Sequence, residues 1–304
     1  MDLGFSESQQ MLKTSARDFL SQECPPTLVR SMENDSLGYP PDLWRTLARD
    51  LGWLGLALPE EYGGSGLDFV WLCILLEEMG RALLPTPFFS TVVTGALPIL
   101  NFGSETQRQE FLPKVSAGEI IMAFAQYEAS GRYDAAGIQL SAKPQREGFL
   151  LDGTKLFVVN GHISDYLIVP ARTQSSSNPQ DGITCFLIPT KTEGISTVPL
   201  DTIASDKQCE VVFNNVSVTK NQILGEINQG WKIIESISES AAIGQCALML
   251  GGGDQVLEMT LDYVKDRVQF GRPIGSFQAI QHHCANMASD MEASRHITYH
   301  AAWR

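Results

Sequence analysis

The first part of the chain follows a helical pattern of apolar positions. Between Met11 and Leu20 apolar residues recur every three or four positions, and the preceding Ser6 is a typical N-cap residue, so a helix is expected to start there. A second helix is expected to open at Pro41, because proline is tolerated in the first turn of a helix. We therefore predict an N-terminal helical domain over residues 1–119.

The stretch from Phe69 to Leu83 is apolar on almost every side, which predicts a buried helix. Its charged residues, Glu77, Glu78 and Arg81, come near the end of that stretch. We expect them to form a charge cluster at the helix end, where the helix dipole acts on side-chain charges.

From about residue 120 the apolar period changes to two. The run at 148–161 is interpreted as two short strands around a turn formed by Asp152 and Gly153. Closely spaced strands without intervening helices indicate an antiparallel sheet or barrel, so we predict a central β domain of barrel or sandwich type over residues 120–226. Further strands are expected to begin at Tyr166, Ile183 and Glu210.

The helical period returns at Trp231 and continues to about Arg267, as one long helix or as two. Three consecutive glycines, Gly251–Gly253, lie in the middle of this pattern and disfavour a helix. Their presence predicts that another backbone or a bulky ligand comes close at that point. Ser276 is expected to cap a last helix. We predict a C-terminal helical domain over residues 227–304, which gives an α+β fold.

Composition excludes several classes of protein. The 304 residues are 43% apolar, which is too hydrophobic for an intrinsically disordered chain. A formal net charge of −13 disfavours nonspecific binding to nucleic acid or to anionic membranes. No apolar run approaches the roughly 18–20 residues that span a bilayer, and the N-terminus lacks the features of a signal peptide. We expect a cytoplasmic protein that binds no nucleic acid, is not inserted in a membrane and has no metal site.

Four segments resemble the acyl-CoA dehydrogenase family, and together they cover essentially the whole chain in one register. They are Leu-Pro-Glu-Glu-Tyr-Gly-Gly-Ser-Gly-Leu-Asp at 58–68, Leu-Asp-Gly-Thr-Lys-Leu-Phe-Val-Val-Asn-Gly at 151–161, Leu-Gly-Glu-Ile-Asn-Gln-Gly-Trp at 224–231, and Arg-Val-Gln-Phe-Gly-Arg-Pro-Ile-Gly-Ser-Phe-Gln-Ala-Ile-Gln at 267–281. The resemblance implies that the C-terminal domain is of the four-helix-bundle type. Because the last helix shows no stop signal before Arg304, we expect that bundle to be incomplete and the chain to be C-terminally truncated.

The resemblance implies an FAD-dependent oxidoreductase of lipid metabolism that removes two hydrogens from carbons α and β of an acyl-CoA thioester. In this family a glutamate takes the α-proton, the flavin accepts the β-hydride, and an electron-transfer flavoprotein usually reoxidises the cofactor. The family also implies a homotetramer or a heterotetramer, in which a neighbouring subunit completes each flavin site.

Two groups of residues are expected to contact FAD, by their positions in the family's motifs. Phe157 and Val159 lie in the segment that packs against the isoalloxazine ring, although many members have a threonine in place of Val159. Arg267 supplies the cationic donor that a diphosphate requires. It belongs to the second group, which corresponds to contacts with the FAD of the adjacent subunit: Arg267, Gln269, Phe270 and Gln278.

The sequence departs from the family's pattern at 123–134. Most members have a Thr-Glu-Pro-Gly-Ala-Gly-Ser-Asp run there, in which small residues allow the CoA arm to come close. Here Gln126 and Tyr127 replace the flavin-contacting pair, but both side chains still offer hydrogen-bond donors to FAD. Arg132 and Tyr133 replace the Gly-Ser, and Tyr133 is a candidate substrate contact. These bulky residues predict a reshaped thioester channel or a subunit that holds cofactor or substrate poorly.

No residue of this chain is identified as the catalytic base. In many members of the family that glutamate lies late in the sequence, in a loop beyond the position of residue 304. In a minority it lies on the long helix after the β domain, where this chain has Ala241. Glu239 lies roughly 200° away around the same helix, and it stays a candidate for catalysis or substrate binding.

Two further functions stay open beside the dehydrogenase. One is a catalytically silent partner subunit of a hetero-oligomeric acyl-CoA dehydrogenase, which would contribute Arg267 and Phe270 to its neighbour's FAD. Val159, Ala241 and the altered segment at 126–133 favour this alternative. The other is an acyl-CoA oxidase, which passes its electrons to oxygen.

Overall fold

A computed structural model describes residues 4–304, with helices at both ends of the chain and strands between them. The predicted α+β fold class is therefore confirmed. The α-helices are α1 (Glu7–Glu23), α2 (Pro26–Glu33), α3 (Pro41–Arg45), α4 (Phe69–Ala82), α5 (Leu97–Phe102), α6 (Glu105–Ser116), α7 (Gly230–Asp266) and α8 (Gln278–Trp303). Two π-helices cover Thr46–Asp50 and Phe89–Ala96.

The strands lie between residues 122 and 273, and short 3-10 helices connect several of the elements. The strands are β1 (Met122–Phe124), β2 (Ser141–Pro144), β3 (Gly148–Val159), β4 (Tyr166–Arg172), β5 (Ile183–Pro189), β6 (Ile195–Leu200), β7 (Gln208–Thr219), β8 (Ile223–Leu224), β9 (Val268–Gln269) and β10 (Arg272–Pro273). The 3-10 helices cover Trp53–Gly55, Glu60–Tyr62, Ala135–Gly137, Lys220–Gln222 and Ile274–Ser276.

The chain divides into two compact units. The helical unit contains the residues up to Arg30 together with Leu67–Leu84 and Ala242–Arg304. The sheet unit contains Ser31–Gly66 and Pro85–Ala241. These units cut the chain at other positions than the three domains predicted from the sequence, whose boundaries stay a prediction.

Helix α1 of the helical unit begins as its sequence predicts. The backbone N–H of Gln9 donates to Ser6 Oγ at 3.2 Å, and the Ser6 N–H donates to Gln9 Oε1 at 2.9 Å. This reciprocal pair is a capping box, which satisfies donors that the first turn of a helix otherwise leaves unpaired.

Gly80 of α4 and Gly251 of α7 allow these two helices to approach each other very closely. A Cβ atom at Gly251 would lie 1.7 Å from the carbonyl oxygen of Glu77, and one at Gly80 would lie 2.0 Å from that of Leu248. Both distances are far below van der Waals contact, so the helix backbones touch where side chains normally keep them apart. This confirms the predicted close approach of another backbone, within one continuous helix.

The prediction for Glu77 and Glu78 as an end-of-helix cluster is wrong. Both side chains are about 1% exposed, because α4 is covered on the side that carries them. Glu77 accepts hydrogen bonds from Lys13 Nζ at 2.6 Å, from Tyr299 Oη at 2.5 Å and from Arg295. Burial raises the pKa of Glu77, but these donors outweigh it and hold that pKa below its ordinary value.

Glu78 has one main partner. Arg17 donates to both carboxylate oxygens of Glu78, with Nε and Nη2 each at 2.9 Å. Of the predicted cluster, only Arg81 pairs near the surface, with Glu258. Buried carboxylates of this kind persist only where such donors replace the water they have lost.

The start of α8 also differs from its prediction. Phe277 occupies the N-cap position without a side-chain cap, and Ser276 ends a 3-10 helix one residue earlier. The Ser276 hydroxyl donates to the carbonyl of Pro273 at 2.7 Å, so it is engaged within that turn and does not cap α8.

Helix α7 also corrects the expectation about apolar runs. It contains an 18-residue window that is long and apolar enough to cross a membrane, and 33% of that window is buried inside the structure. The core helix of a protein outside the membrane passes the same test, so one such helix is weak evidence for insertion.

The sheet unit is built on one mostly antiparallel sheet. Its strand order is β6-β7-β3-β2-β4-β5-β8, and β1 pairs with β4 in parallel. Successive residues of β4 and β5 face opposite sides. Ile168 and Leu187 join a cluster that includes residues of α5 and α6, whereas Leu167, Val169 and Phe186 join a cluster formed mainly by the sheet itself. The sheet therefore has a hydrophobic layer on each face.

The interpretation of 148–161 as two strands around a turn is wrong. Strand β3 runs through Asp152 and Gly153 as one element and pairs with β7 on both sides of them. The register shifts there, since Leu151 pairs with Val216 and Gly153 pairs with Phe213. The Asp-Gly pair therefore lies at an irregularity in a continuous strand, which its neighbour β7 keeps extended.

Candidate functional site

A β-bulge near the end of β3 presents two apolar side chains on the surface of the sheet unit. The pairing with β7 slips by one residue between Lys155 and Val158, and Phe157 within the slip has a left-handed backbone with φ +56°. Phe157 is 52% exposed and Val159 is 45% exposed. Left-handed backbone at a bulky residue is strained, and bulges of this kind are over-represented next to active sites.

The segment that contains Gln126 and Tyr127 lies directly against this bulge. The backbone N–H of Leu156 donates to the carbonyl oxygen of Tyr127 at 2.8 Å. Gln126 is buried and Tyr127 is half-buried, with its phenol pKa raised by burial and by the nearby Tyr133. The structure thus brings Tyr127 and Phe157, which are 30 residues apart, onto neighbouring segments.

A buried ion pair, which the motif comparison did not identify, lies at the base of these segments. Lys155 Nζ donates to Glu128 Oε1 at 2.7 Å and to the carbonyl oxygen of Gln126 at 3.2 Å. Lys155 is completely buried, which lowers its pKa, while Glu128 opposes that shift. The burial of Lys155 could have been predicted from the sequence. Side chains at alternate positions of a strand share one face, and Lys155 lies an even number of residues after Phe149 and Leu151, on the inward face of β3.

The loop that replaces the family's Gly-Ser lies over Tyr127. Tyr133 is 77% exposed, and its ring contacts the Tyr127 ring edge-to-face with 5.3 Å between the centroids. Arg132 Nε donates to Asp134 Oδ1 at 2.9 Å, and this guanidinium lowers the pKa of Asp134. Arg132 is thus paired within its own loop, and Tyr133 is the exposed side chain next to Tyr127.

A π-helix supports the far side of the bulge. Asn160 also has a left-handed backbone, with φ +58°, and its Nδ2 donates to Ser90 Oγ at 3.0 Å. Ser90 is buried in the π-helix Phe89–Ala96. π-Helical turns are rare and frequently lie at functional sites, so this contact favours a functional reading of the bulge.

Glu239 and Ala241 lie on the part of α7 that belongs to the sheet unit. Glu239 is exposed and Ala241 is half-buried. Within residues 4–304 no hydrogen bond or ion pair joins Glu239 to the bulge, so the structure does not link this candidate to Phe157 or Tyr127.

The second group of predicted residues lies in the helical unit, on a small hairpin after α7. Strands β9 and β10 pair antiparallel, and Phe270 and Gly271 form the turn with φ +53° and +78°. Positive φ at both positions is typical of a tight two-residue hairpin turn. Phe270 at its tip is 93% exposed. Arg267 and Gln269 are exposed beside it.

The hairpin packs against Phe277, the residue that precedes α8. Phe270 contacts the Phe277 ring edge-to-face at 6.1 Å, and the Arg272 guanidinium lies 4.2 Å from the centroid of the same ring. Gln278 is the exposed first residue of α8. The hairpin therefore holds an exposed aromatic ring and an exposed cation in a defined local geometry.

These features fit an organic cofactor with a flat apolar ring and polar edges. Phe157 and Val159 offer an exposed apolar surface, and the segment that carries the Tyr127 hydroxyl is hydrogen-bonded to Leu156 beside them. Between residues 4 and 304 the structure shows no group of three or more His, Cys, Asp or Glu side chains that could hold a metal ion.

Family models match almost the whole chain. The model of the acyl-CoA dehydrogenase N-terminal domain matches residues 6–119, that of the middle domain matches 123–216, and that of the C-terminal domain matches 228–304. An acyl-CoA dehydrogenase of Bacillus subtilis (strain 168) is 32% identical over 302 residues, which cover 98% of this chain and 79% of the relative. The chain belongs to the acyl-CoA dehydrogenase family. Its members are FAD-binding flavoprotein oxidoreductases, so the resemblance and the cofactor class that it implied are confirmed.

Solved structures of acyl-CoA dehydrogenases have the same fold. Butyryl-CoA dehydrogenase from Megasphaera elsdenii superposes with a TM-score of 0.89 at 33% identity, covering 99% of this chain and 80% of that one. The ChsE4-ChsE5 complex from Mycobacterium tuberculosis contains a chain with a TM-score of 0.89 at 27% identity, covering 100% of this chain and 79% of that one. Heteromeric assemblies therefore occur among the solved structures similar to this acyl-CoA dehydrogenase family member.

Proposed function

We propose that the protein is an FAD-dependent dehydrogenase that oxidises the α,β bond of an acyl-CoA thioester. The observation that carries the proposal is the strained bulge that exposes the apolar side chains of Phe157 and Val159, with the backbone of Tyr127 hydrogen-bonded to Leu156 beside it. When bound, FAD supplies the hydride acceptor for this reaction. The chain's own residues bind the flavin and orient it.

Two sets of residues are proposed to hold FAD. In the sheet unit, Phe157 and Val159 contact the ring, while Gln126 and Tyr127 donate hydrogen bonds to its polar edge. In the helical unit, the proposed contacts are to the FAD of a neighbouring copy or partner subunit, with the Arg267 guanidinium binding the diphosphate. That second set consists of Arg267, Gln269, Phe270 and Gln278.

Tyr133 is proposed as a substrate contact because it is the exposed residue next to Tyr127. Glu239 is retained as the candidate for the base or for a second substrate contact, and its exposure leaves its carboxylate free to reach a ligand. The substrate is proposed to be an acyl-CoA, with an electron-transfer flavoprotein as the acceptor. We place the reaction in the cytoplasm, in a homo- or hetero-oligomer.

One specific alternative is a catalytically silent subunit that completes a neighbour's FAD site. Val159 has no hydroxyl for the flavin, and Ala241 has no carboxylate for the α-proton. The ChsE4-ChsE5 complex supports this alternative only in that a similar chain occurs in a heteromeric assembly. In this alternative Arg267 and Phe270 still contact the neighbour's FAD, but the surface around Phe157 binds no FAD of its own.

The test is FAD uptake and reduction by the purified protein. We expect visible flavin absorption after incubation with FAD and gel filtration, and bleaching of an added electron acceptor with butyryl-CoA. Phe157→Asn removes the aromatic ring but suits the left-handed backbone, so it is expected to lose FAD without unfolding. Val198→Asn on β6 is the matched control, because Val198 is also 52% exposed.

A colourless wild-type protein that leaves the acceptor oxidised would contradict the dehydrogenase and support the silent subunit. Equal FAD retention by the Phe157 and Val198 variants would contradict the flavin surface proposed here.

A further inference from the structure

The sheet unit buries one lysine completely, in the middle of β3. Among the described residues, 4–304, Lys155 is the only lysine or arginine in the buried class. It lies on the inward face of β3 with Phe149 and Leu151, which belong to the hydrophobic core of the sheet. Lysine is almost never fully buried unless it is paired, so this position has a polar role in the core.

The partner of Lys155 is itself anchored. The Glu128 carboxylate accepts hydrogen bonds from the backbone N–H groups of Gln139 and Leu140 at 3.0 Å. It therefore holds the lysine from one side and the chain after the 3-10 helix Ala135–Gly137 from the other. A carboxylate with this many donors is fixed in place.

Lys155 joins the two segments that carry the proposed flavin contacts. Its ammonium binds Gln126 O and Glu128 Oε1, and the next backbone N–H, that of Leu156, binds Tyr127 O. Three hydrogen bonds thus connect residues 126–128 to residues 155–156. The bulge with Phe157 follows immediately.

We propose that Lys155 is a positioning residue that fixes Gln126 and Tyr127 relative to the Phe157 bulge. The inference deepens the proposed function, on which it rests for the identity of the ligand. Lys155 itself is buried beneath this surface and acts through the two segments that it joins. With the link intact, the hydroxyl of Tyr127 and the ring of Phe157 keep one relative position, which a rigid planar cofactor requires.

Two variants separate positioning from simple core stability. Lys155→Met keeps an unbranched side chain in the core but removes the link to Gln126 and Glu128. Lys155→Met combined with Glu128→Gln removes both charges, while the glutamine oxygen still accepts from Gln139 and Leu140. Because a buried ion pair can be replaced by uncharged groups at little cost, the double variant is expected to unfold close to the wild-type midpoint.

The deciding measurement is hydrogen–deuterium exchange at the Leu156 amide. We expect both variants to raise its exchange rate by about tenfold, because the bond to Tyr127 O loses its charged neighbour and opens locally. Val216→Ala is the matched control. Val216 lies in the same core and pairs with Leu151, away from the bulge, so this variant is expected to leave Leu156 near the wild-type rate.

The second readout is FAD. If the binding-competent arrangement falls to roughly a tenth of its population, apparent FAD affinity falls about tenfold in both Lys155 variants. The shape of the bound flavin's absorption band is expected to change as well, and Val216→Ala should change neither property. Unchanged exchange at Leu156 in Lys155→Met, or equally fast exchange in Val216→Ala, would overturn the inference. A wild-type protein that takes up no FAD would contradict the proposed function instead, since the exchange measurement needs no flavin.

Discussion

Each unit of the molecule buries charged side chains, but those of the two units have opposite sign and different surroundings. In the helical unit the anion Glu77 is paired with Lys13 and Arg295, whose side chains remain 12% and 16% exposed. In the sheet unit the cation Lys155 is 0% exposed, and its single charged partner, Glu128, is 11% exposed. The buried anion thus has two partly exposed cationic partners, whereas the buried cation has one partly exposed anionic partner.

This difference predicts what each site loses when a partner is removed. Without Glu77, both cations still touch solvent, and Arg295 keeps its pair with Asp254. Without Glu128, the ammonium of Lys155 keeps only the carbonyl of Gln126. The stability lost when one partner of a buried ion pair is removed therefore depends on how well water and other groups can solvate the partner that remains.

The largest effect is expected from Glu128→Leu. The substitution strands the Lys155 ammonium in the core, and breaking a buried pair in this way costs about 3–5 kcal/mol. Denaturant unfolding of the purified protein measures the loss. Adding Lys155→Met to Glu128→Leu is expected to restore the part of the loss that comes from the stranded charge, but not the part from the unpaired N–H groups of Gln139 and Leu140. A double variant as unstable as the single one would show that the charge is not the cause.

A smaller effect is expected from Glu77→Gln in the helical unit. The substitution weakens charge-assisted hydrogen bonds without stranding a fully buried cation, so about 1–3 kcal/mol is expected at neutral pH. Denaturant unfolding again measures it. A loss larger than that of Glu128→Leu would reverse the comparison between the units.

Lowering the pH below 4.5 should reduce the contribution of Glu77 to the free energy of unfolding. Because the folded-state pKa of Glu77 lies below its ordinary value of 4.5, its contribution is fully present above that pH and is lost as the pH falls through the folded-state pKa. We expect the stability difference between wild type and Glu77→Gln to be constant above pH 4.5 and to shrink below it. A difference that grows on acidification would contradict the ion-pair assignment.

The smallest effect is expected at Phe270. Its side chain is 93% exposed and its φ is positive, so Phe270→Asn should change the free energy of unfolding by no more than about 0.5 kcal/mol. Thermal unfolding checks this value. A large loss would mean that the contact with Phe277 stabilises the hairpin more than its exposure indicates.

Features set by local chemistry could be predicted from the sequence. The order of helices and strands follows from hydrophobic period, and the cap at Ser6 follows from residue type. The glycine run predicted its own close contact, because only a missing side chain lets two backbones touch. The positions of Tyr127 and Phe157 in the family's motifs predicted both as FAD contacts, and the structure brings the segments that contain them together.

Features set by distant neighbours could not be predicted in this way. Glu77 resembles any charged residue near a helix end until α1 and α8 cover it. The Asp-Gly pair in β3 resembles a turn until β7 pairs with both of its sides. The inward position of Lys155 could have been predicted from its place along the strand. Its role could not, because that role depends on the ion pair with Glu128, 27 residues earlier.

The contact of α4 with α7 also limits how this protein can be engineered. At Gly80 and Gly251 even the single methyl group of alanine would overlap a carbonyl group of the opposite helix. A mutant library that varies this crossing will therefore retain glycine at both positions, or its survivors will have moved the two helices apart.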